Sequence, residues 1–296
     1  MLLDKKIPFS YIFKKIRYDV LVVLLVGVTC HLLSLKYQAV IPDMPTYIPT
    51  LLGTAISILL SFKMNQSYDR WWEARKVWGA IVNDSRTLVM QLQSFVTGSE
   101  AEIKAIGYRH IAFCYALGRS LRGHQVLENL DELMDHDDIS TVSTHRNVPL
   151  AILQLNTLEI KKLKEAGLLD IFYHTQLDET LVRLCDSMGK AERIKSTIFP
   201  ATYRLFLHFT IYVFAITLTI SLNNMDTIYA LPLVGTIASC FFLIEKSAYH
   251  LQDPFTGSPS DTPVTAIART IEINIKELLG AENVPEPVAP EDFYIL

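Results

Sequence analysis

The chain has 296 residues, of which 50% are hydrophobic and 20% charged, with a formal net charge of −4. This composition excludes disorder and argues against a simple soluble enzyme, because soluble domains carry about 25% charged residues. The slightly acidic balance leaves no electrostatic footprint for nucleic acid. Cys30, Cys114, Cys185 and Cys240 are widely spaced and form no C-x-x-C pair, so neither a zinc cage nor a disulfide framework is expected. They read as small buried hydrophobes.

Four stretches are free of charge for long enough to test against a bilayer, which needs roughly 17–25 mostly apolar residues in a helix. The first runs from Val20 to Leu35 and holds His31. Tyr18 and Tyr37 extend it into the interfaces. The second runs from Met44 to Phe62, with Pro45 and Pro49 near its start, where a missing N–H costs least. The third spans Leu205 to Met225 and contains His208; the fourth spans Thr227 to Ile244. The first is expected to be a retained span, since no small-residue cleavage site follows it.

Basic residues set the orientation. Lys5, Lys6, Lys14, Lys15 and Arg17 precede the first span, Lys63, Arg70, Arg75 and Lys76 follow the second, Arg193, Lys195 and Arg204 precede the third, and Lys246 follows the fourth. Both termini and the long middle segment are therefore expected in the cytoplasm of a cell whose inner membrane holds the chain. Apolar residues recur at helical spacing over 71–96, 103–121, 149–166 and 168–194. The polar stretch 131–147 reads as a loop and 264–279 as an amphipathic helix. The expected class is all-α. Its organisation is 1–63 for the amino-terminal segment and first two spans, 64–203 for a helical cytoplasmic domain, 204–247 for the third and fourth spans, 248–281 for a cytoplasmic segment and helix, and 282–296 for a flexible tail, extended unless it docks on a neighbour.

No nucleotide-binding, metalloprotease or hydrolase motif occurs, so no enzyme and no cofactor is expected. Asp135, His136, Asp137 and Asp138 have side chains that bind metals, but a solvated acidic loop explains them better. His31 and His208 are candidates because ionisable groups within spans are functional by default, though both sit near span ends. Thr54, Ile58 and Phe62 lie four residues apart and share one helix face, with Ser57 and Ser61 beside them. Such a face suits tight packing or a pore wall with apolar constrictions, and spacing alone favours packing.

The run SFKMNQSYDRWWEARKVWGAIVNDSR (61–86) resembles the signature of the bestrophin family, especially its bacterial and plastid branch. ERIKSTIFPATYRLFLHFTIYVFAITL resembles that family's entry to the third span, and LIEKSAYHLQDPFTG its Pro-Phe segment after the fourth. The resemblance implies a homopentameric channel for monovalent ions in a lipid bilayer, with the second span of each subunit lining the pore. It puts the neck on Thr54, Ile58 and Phe62, where Thr54 replaces the usual apolar residue, and a cytoplasmic constriction near Phe172. Anions such as chloride are favoured, with a cation channel of the same fold or a membrane-anchored scaffold as alternatives. Asp69, Arg70, Glu73 and Arg75 are expected to form ion pairs near the vestibule, and Trp71, Trp72 and Trp78 to be structural. Eukaryotic members bind calcium just after the Pro-Phe segment; here only Asp253 and Asp261 match, too few carboxylates for a usual calcium site.

Overall fold

The computed structural model describes residues 1–2, 5, 8–37, 44–197 and 200–296. Among the described residues there are nine helices, and the β-structure consists of isolated bridges. The helices are α1 (Phe9–Lys36), α2 (Tyr47–Phe95), α3 (Glu100–Arg122), α4 (His136–Ser143), α5 (Val148–Glu165), α6 (Ile171–Ser196), α7 (Ala201–Ser221), α8 (Thr227–Gln252) and α9 (Val264–Leu278). Segments long and apolar enough to cross a bilayer occur in α1, α2, α7 and α8, the helices that hold the expected spans. The chain divides into two compact units. A spanning unit comprises Lys5–Arg70 and Ile198–Gln252, and a body unit comprises Met1–Asp4, Trp71–Thr197 and Asp253–Leu296.

The body unit is a helical bundle whose sequence carries clear start and stop signals. Asn147 caps α5 by accepting from the Leu150 N–H at 3.1 Å, with Pro149 in the first turn, and Asp170 caps α6 through the Phe172 N–H at 2.8 Å. Glu100 and Glu102 open α3 while Arg119 and Arg122 close it, matching the helix dipole at both ends. Within this unit Ala74, Val77, Trp78, Ile81, Leu88 and Leu92 of α2 are buried at the 3.6-residue period against Ile106, Phe113 and Leu117 of α3. Gly107 lets α9 approach α3 closely, because a Cβ there would lie 2.9 Å from Leu279 Cδ1 and 3.5 Å from Ile275 Cγ2. Glu272, on the inner side of α9, accepts from the Tyr115 hydroxyl at 2.6 Å and from Lys276 at 2.7 Å.

Several details depart from the expectations drawn from sequence. The stretch expected as a loop over 131–147 contains the two-turn helix α4, too short and too polar for a period to show; Val142 is its buried residue. Of the four cysteines expected to be buried, Cys114 is, Cys30 is half-buried, and Cys185 and Cys240 are exposed. The carboxyl-terminal residues lie against neighbours. The Ile295 N–H donates to the Met1 carbonyl at 3.0 Å, and the Ala266 N–H at the start of α9 donates to the Leu296 carbonyl at 3.1 Å.

The spanning unit packs α1 against α7 and α8, and α7 against α8. Small residues allow the close approach: a Cβ on Gly235 would lie 2.9 Å from Leu24 Cδ2, and one on Gly53 3.2 Å from Phe214 Cε2. Polar bonds tie the helices at both ends. Ser34 donates to Asn223 Oδ1 at 2.8 Å and His31 Nε2 lies 2.6 Å from Thr227 Oγ1; at the other end the Tyr203 hydroxyl donates to the Leu59 carbonyl at 2.8 Å. Lys63 Nζ and Glu245 Oε1 form an ion pair at 2.6 Å with side chains 0% and 1% exposed.

Two measurements test these interiors. In the body unit His110 Nε2 lies 2.8 Å from Ser85 Oγ, and burial lowers its pKa from the ordinary 6.5 to about 4. Between those values the unfolded chain binds a proton that the folded chain excludes, so stability is complete above about pH 6.5 and falls by roughly 3 kcal/mol towards pH 4. His110→Gln is expected to flatten that part of the melting-temperature profile. In the spanning unit, Lys63→Met takes from the buried Glu245 its 2.6 Å partner, leaving His208 at 3.2 Å as its remaining neighbour, and is expected to cost about 3 kcal/mol. The double variant Lys63→Met, Glu245→Leu is expected to recover most of that loss in thermal melts in detergent.

Candidate pore-lining face

Helix α2 presents opposite faces of different character within the spanning unit. Ile56, Leu60 and Lys63 are buried, at 0%, 1% and 1% exposure. The neck residues expected from sequence lie on the other face: Thr54 is exposed, Ile58 is 53% exposed and Phe62 62%, and Leu51 continues the strip at 71%. Leaving so much large apolar surface uncovered is unfavourable in water, at about 25 cal/mol per Å², so the strip marks a surface for lipid, another copy or a lumen.

The hydroxyls beside this strip are turned inward. Thr54 Oγ1 donates to the Thr50 carbonyl at 2.9 Å and Ser57 Oγ donates to the Gly53 carbonyl at 2.8 Å. Each therefore spends its proton on its own helix and presents lone pairs and, for threonine, a methyl group. The strip consequently carries no formal charge and no uncommitted hydroxyl proton at Thr54 or Ser57. Ion passage along such a surface requires that the ion keep water around it.

Of the four charged residues expected near the vestibule, Glu73 and Arg70 have partners outside that set. Glu73 pairs with Lys76 at 2.6 Å, with 40% and 57% of the side chains exposed, a contact of small energetic weight. Arg70 Nε donates to the Gln252 carbonyl at 2.8 Å. Asp69 is exposed and Arg75 half-buried. Trp71 Nε1 donates to the Ser260 carbonyl at 2.9 Å, Trp72 is 47% exposed and Trp78 is fully buried.

The remaining candidates belong to the body unit. Phe172 stands in the first turn of α6 with 77% of its surface exposed, while its neighbour Tyr173 stacks on Phe95 at 4.4 Å. Asp138 accepts from Arg109 Nε at 2.7 Å, and Asp135 is the N-cap residue that precedes α4. Asp261 is fully buried. Its Oδ2 accepts from the Gly257 and Ser258 N–H groups at 2.7 and 3.1 Å and from Thr256 Oγ1 at 3.1 Å. Burial nevertheless raises its pKa above the ordinary value, the hydrogen bonds opposing that rise. Asp253 lies 3.6 Å from Lys195. Oδ1 of each aspartate is buried without a hydrogen bond, so some oxygen capacity is spare. Among the described residues no group of three or more His, Cys, Asp or Glu side chains stands together, and two carboxylates partly committed to the protein do not make a calcium set of six to eight oxygens.

Lys63 and Glu245 escaped the sequence reading as a pair. Lys63 read as one more basic flank and Glu245 as part of a motif after the fourth span. The available signal was complementary charge at the same ends of two adjacent apolar helices.

Residues 6–277 match the family described as Bacterial/Fungal Bestrophin protein. A voltage-dependent anion channel-forming protein of Mesorhizobium japonicum is 33% identical over 245 residues, covering 82% of this chain and 78% of that protein. A protein of the same description from Escherichia coli O157:H7 is 30% identical over 248 residues, covering 83% and 81%. The crystal structure of a bacterial bestrophin homolog from Klebsiella pneumoniae superposes with a TM-score of 0.86 at 28% identity, covering 91% of this chain and all of that one. A family match over nearly the whole length, together with the shared fold, identifies the chain as a member of the bacterial and fungal bestrophin family.

Proposed function

We propose that the chain assembles as a homopentamer in the inner membrane and conducts monovalent anions, chloride among them, along a central pore lined by α2. The observation that carries this reading is the strip Thr54, Ile58 and Phe62, left uncovered by its own chain although the opposite face of the same helix is fully packed. The relatives described as voltage-dependent anion channel-forming proteins support an anion as the permeant species. In a closed ring each of these residues becomes a belt. Belts of Ile58 and Phe62 offer nothing to replace an ion's hydration, so the neck conducts while wet and closes by losing its water. Discrimination by size is accordingly weak. Phe172, the most exposed large hydrophobic residue among the described ones, serves in this reading as a second constriction formed by the body unit. Both termini lie in the cytoplasm, as the basic flanks of the spans require.

The test is current through planar bilayers containing the purified protein. Phe62→Ala and Ile58→Ala replace a large apolar belt by a small one, and each is expected to raise the mean current by roughly tenfold, the wetting barrier falling by about 1.4 kcal/mol. Under a KCl gradient the reversal potential is expected near the chloride value. A potential near the potassium value would replace the anion by a cation in the same pore. Silence from the wild type and both variants would overturn the channel reading in favour of a membrane-anchored scaffold.

A further inference from the structure

The neck strip is backed by a charged cluster. In the spanning unit Lys63 directly follows Phe62 and is paired with Glu245 Oε1 at 2.6 Å, out of reach of solvent. The second oxygen, Glu245 Oε2, lies 3.2 Å from His208 Nε2 on α7, yet neither atom has an aligned hydrogen bond. His208 is 21% exposed and its ring stands edge-on to Phe242 at 5.5 Å. A half-buried imidazole therefore faces the second carboxylate oxygen of a buried ion pair, whose lysine follows Phe62 directly along α2.

Charge arithmetic follows from this arrangement. With the imidazole neutral, one ammonium and one carboxylate cancel. With it protonated, the cluster carries one net positive charge in each subunit. Residue 63 lies about 100° around the helix from residue 62, so this charge is separated from the lumen by roughly one helix width of about 10 Å. Within apolar surroundings the intervening medium screens it weakly, and a ring of such charges raises the potential along the whole neck.

We infer that Lys63, Glu245 and His208 set how strongly the neck prefers anions over cations, with protonation of His208 as the adjustable part. The inference rests on the channel reading given above. Asp19 of α1 and Lys246 of α8 pair at 3.2 Å, and Arg204 of α7 lies over the Tyr249 ring of α8 at 4.9 Å. Lys15 of α1 acts electrostatically on His250 of α8, as do Lys246 and Glu245. Tyr212 of α7 feels Asp19. Of the other imidazoles in this unit, His31 is held by Thr227, which leaves His250 as the control.

The experiment reads the chloride-to-potassium permeability ratio from reversal potentials at about pH 8 and about pH 5.5. In the wild type the ratio is expected to rise roughly threefold or more on acidification. His208→Gln is expected to remove that rise and His250→Gln to keep it. Glu245→Gln leaves the Lys63 charge uncompensated and is expected to hold the ratio high at both pH values. Should that variant fail to fold, the double variant Lys63→Met, Glu245→Gln, neutral in its pair, is expected to match the wild type at pH 8 and still to rise on acidification. Measurable current with a ratio that ignores pH, falls on acidification, or still rises in His208→Gln overturns the inference and leaves the channel reading standing. Absence of current in every protein, Phe62→Ala included, overturns both.

Discussion

A helix buried on one side keeps its period whatever surrounds it, and α2 applies that constraint in two separate interiors. Over its first half the buried positions are Ile56, Leu60 and Lys63, the interior of a unit built from lipid-compatible helices. Over its second half they are Trp78, Ile81, Leu88 and Leu92, the interior of a helical bundle whose α3 is charge-matched at both ends. Along 49 residues no proline or glycine breaks the ladder after Gly53 other than Gly79, against whose Cβ position nothing stands within 4 Å. The hydrogen bonds of the helix are satisfied within itself, which is what permits one element to serve in both environments.

Burying Lys63 and Glu245 is costly unless each has the other, and it is the pairing that makes their positions specific. An apolar pair of similar volume would stabilise the spanning helices as well or better. What the ion pair adds is a fixed register between α2 and α8 at the level of Phe62, since a shift of either helix by one residue would strand both charges in an apolar interior. Tyr203, reaching from α7 to the Leu59 carbonyl, fixes the third helix at the same level.

The spans were legible because absence of charge over twenty residues has few explanations. The body helices were legible because their apolar residues recur with a period that survives averaging. Short elements were not: α4 has eight residues and one buried apolar side chain, which no periodicity can distinguish from a polar loop. The strip Thr54, Ile58 and Phe62 was legible as a face, but whether a face packs or stays open depends on what the other helices cover. That is a property of tertiary structure. The Lys63–Glu245 pair lay hidden for the same reason, since 182 residues separate the partners and each has an ordinary local explanation. Asp261 read as a possible ligand, and the fold instead directs one of its oxygens at three donors of its own loop.

The distribution of the cysteines has a practical consequence. Cys114 is sealed in the body unit, where burial pushes its thiol up to about 12, and it is inert to thiol reagents while the chain is folded. Cys185 on α6 and Cys240 on α8 are both exposed in the single chain, one in each unit. A charged maleimide confined to water and an apolar one that enters the bilayer therefore label different parts of the same native protein. In the proposed pentamer, loss of Cys240 labelling set against constant labelling at Cys185 would report that the neighbouring subunit covers that flank of α8, without any engineered site.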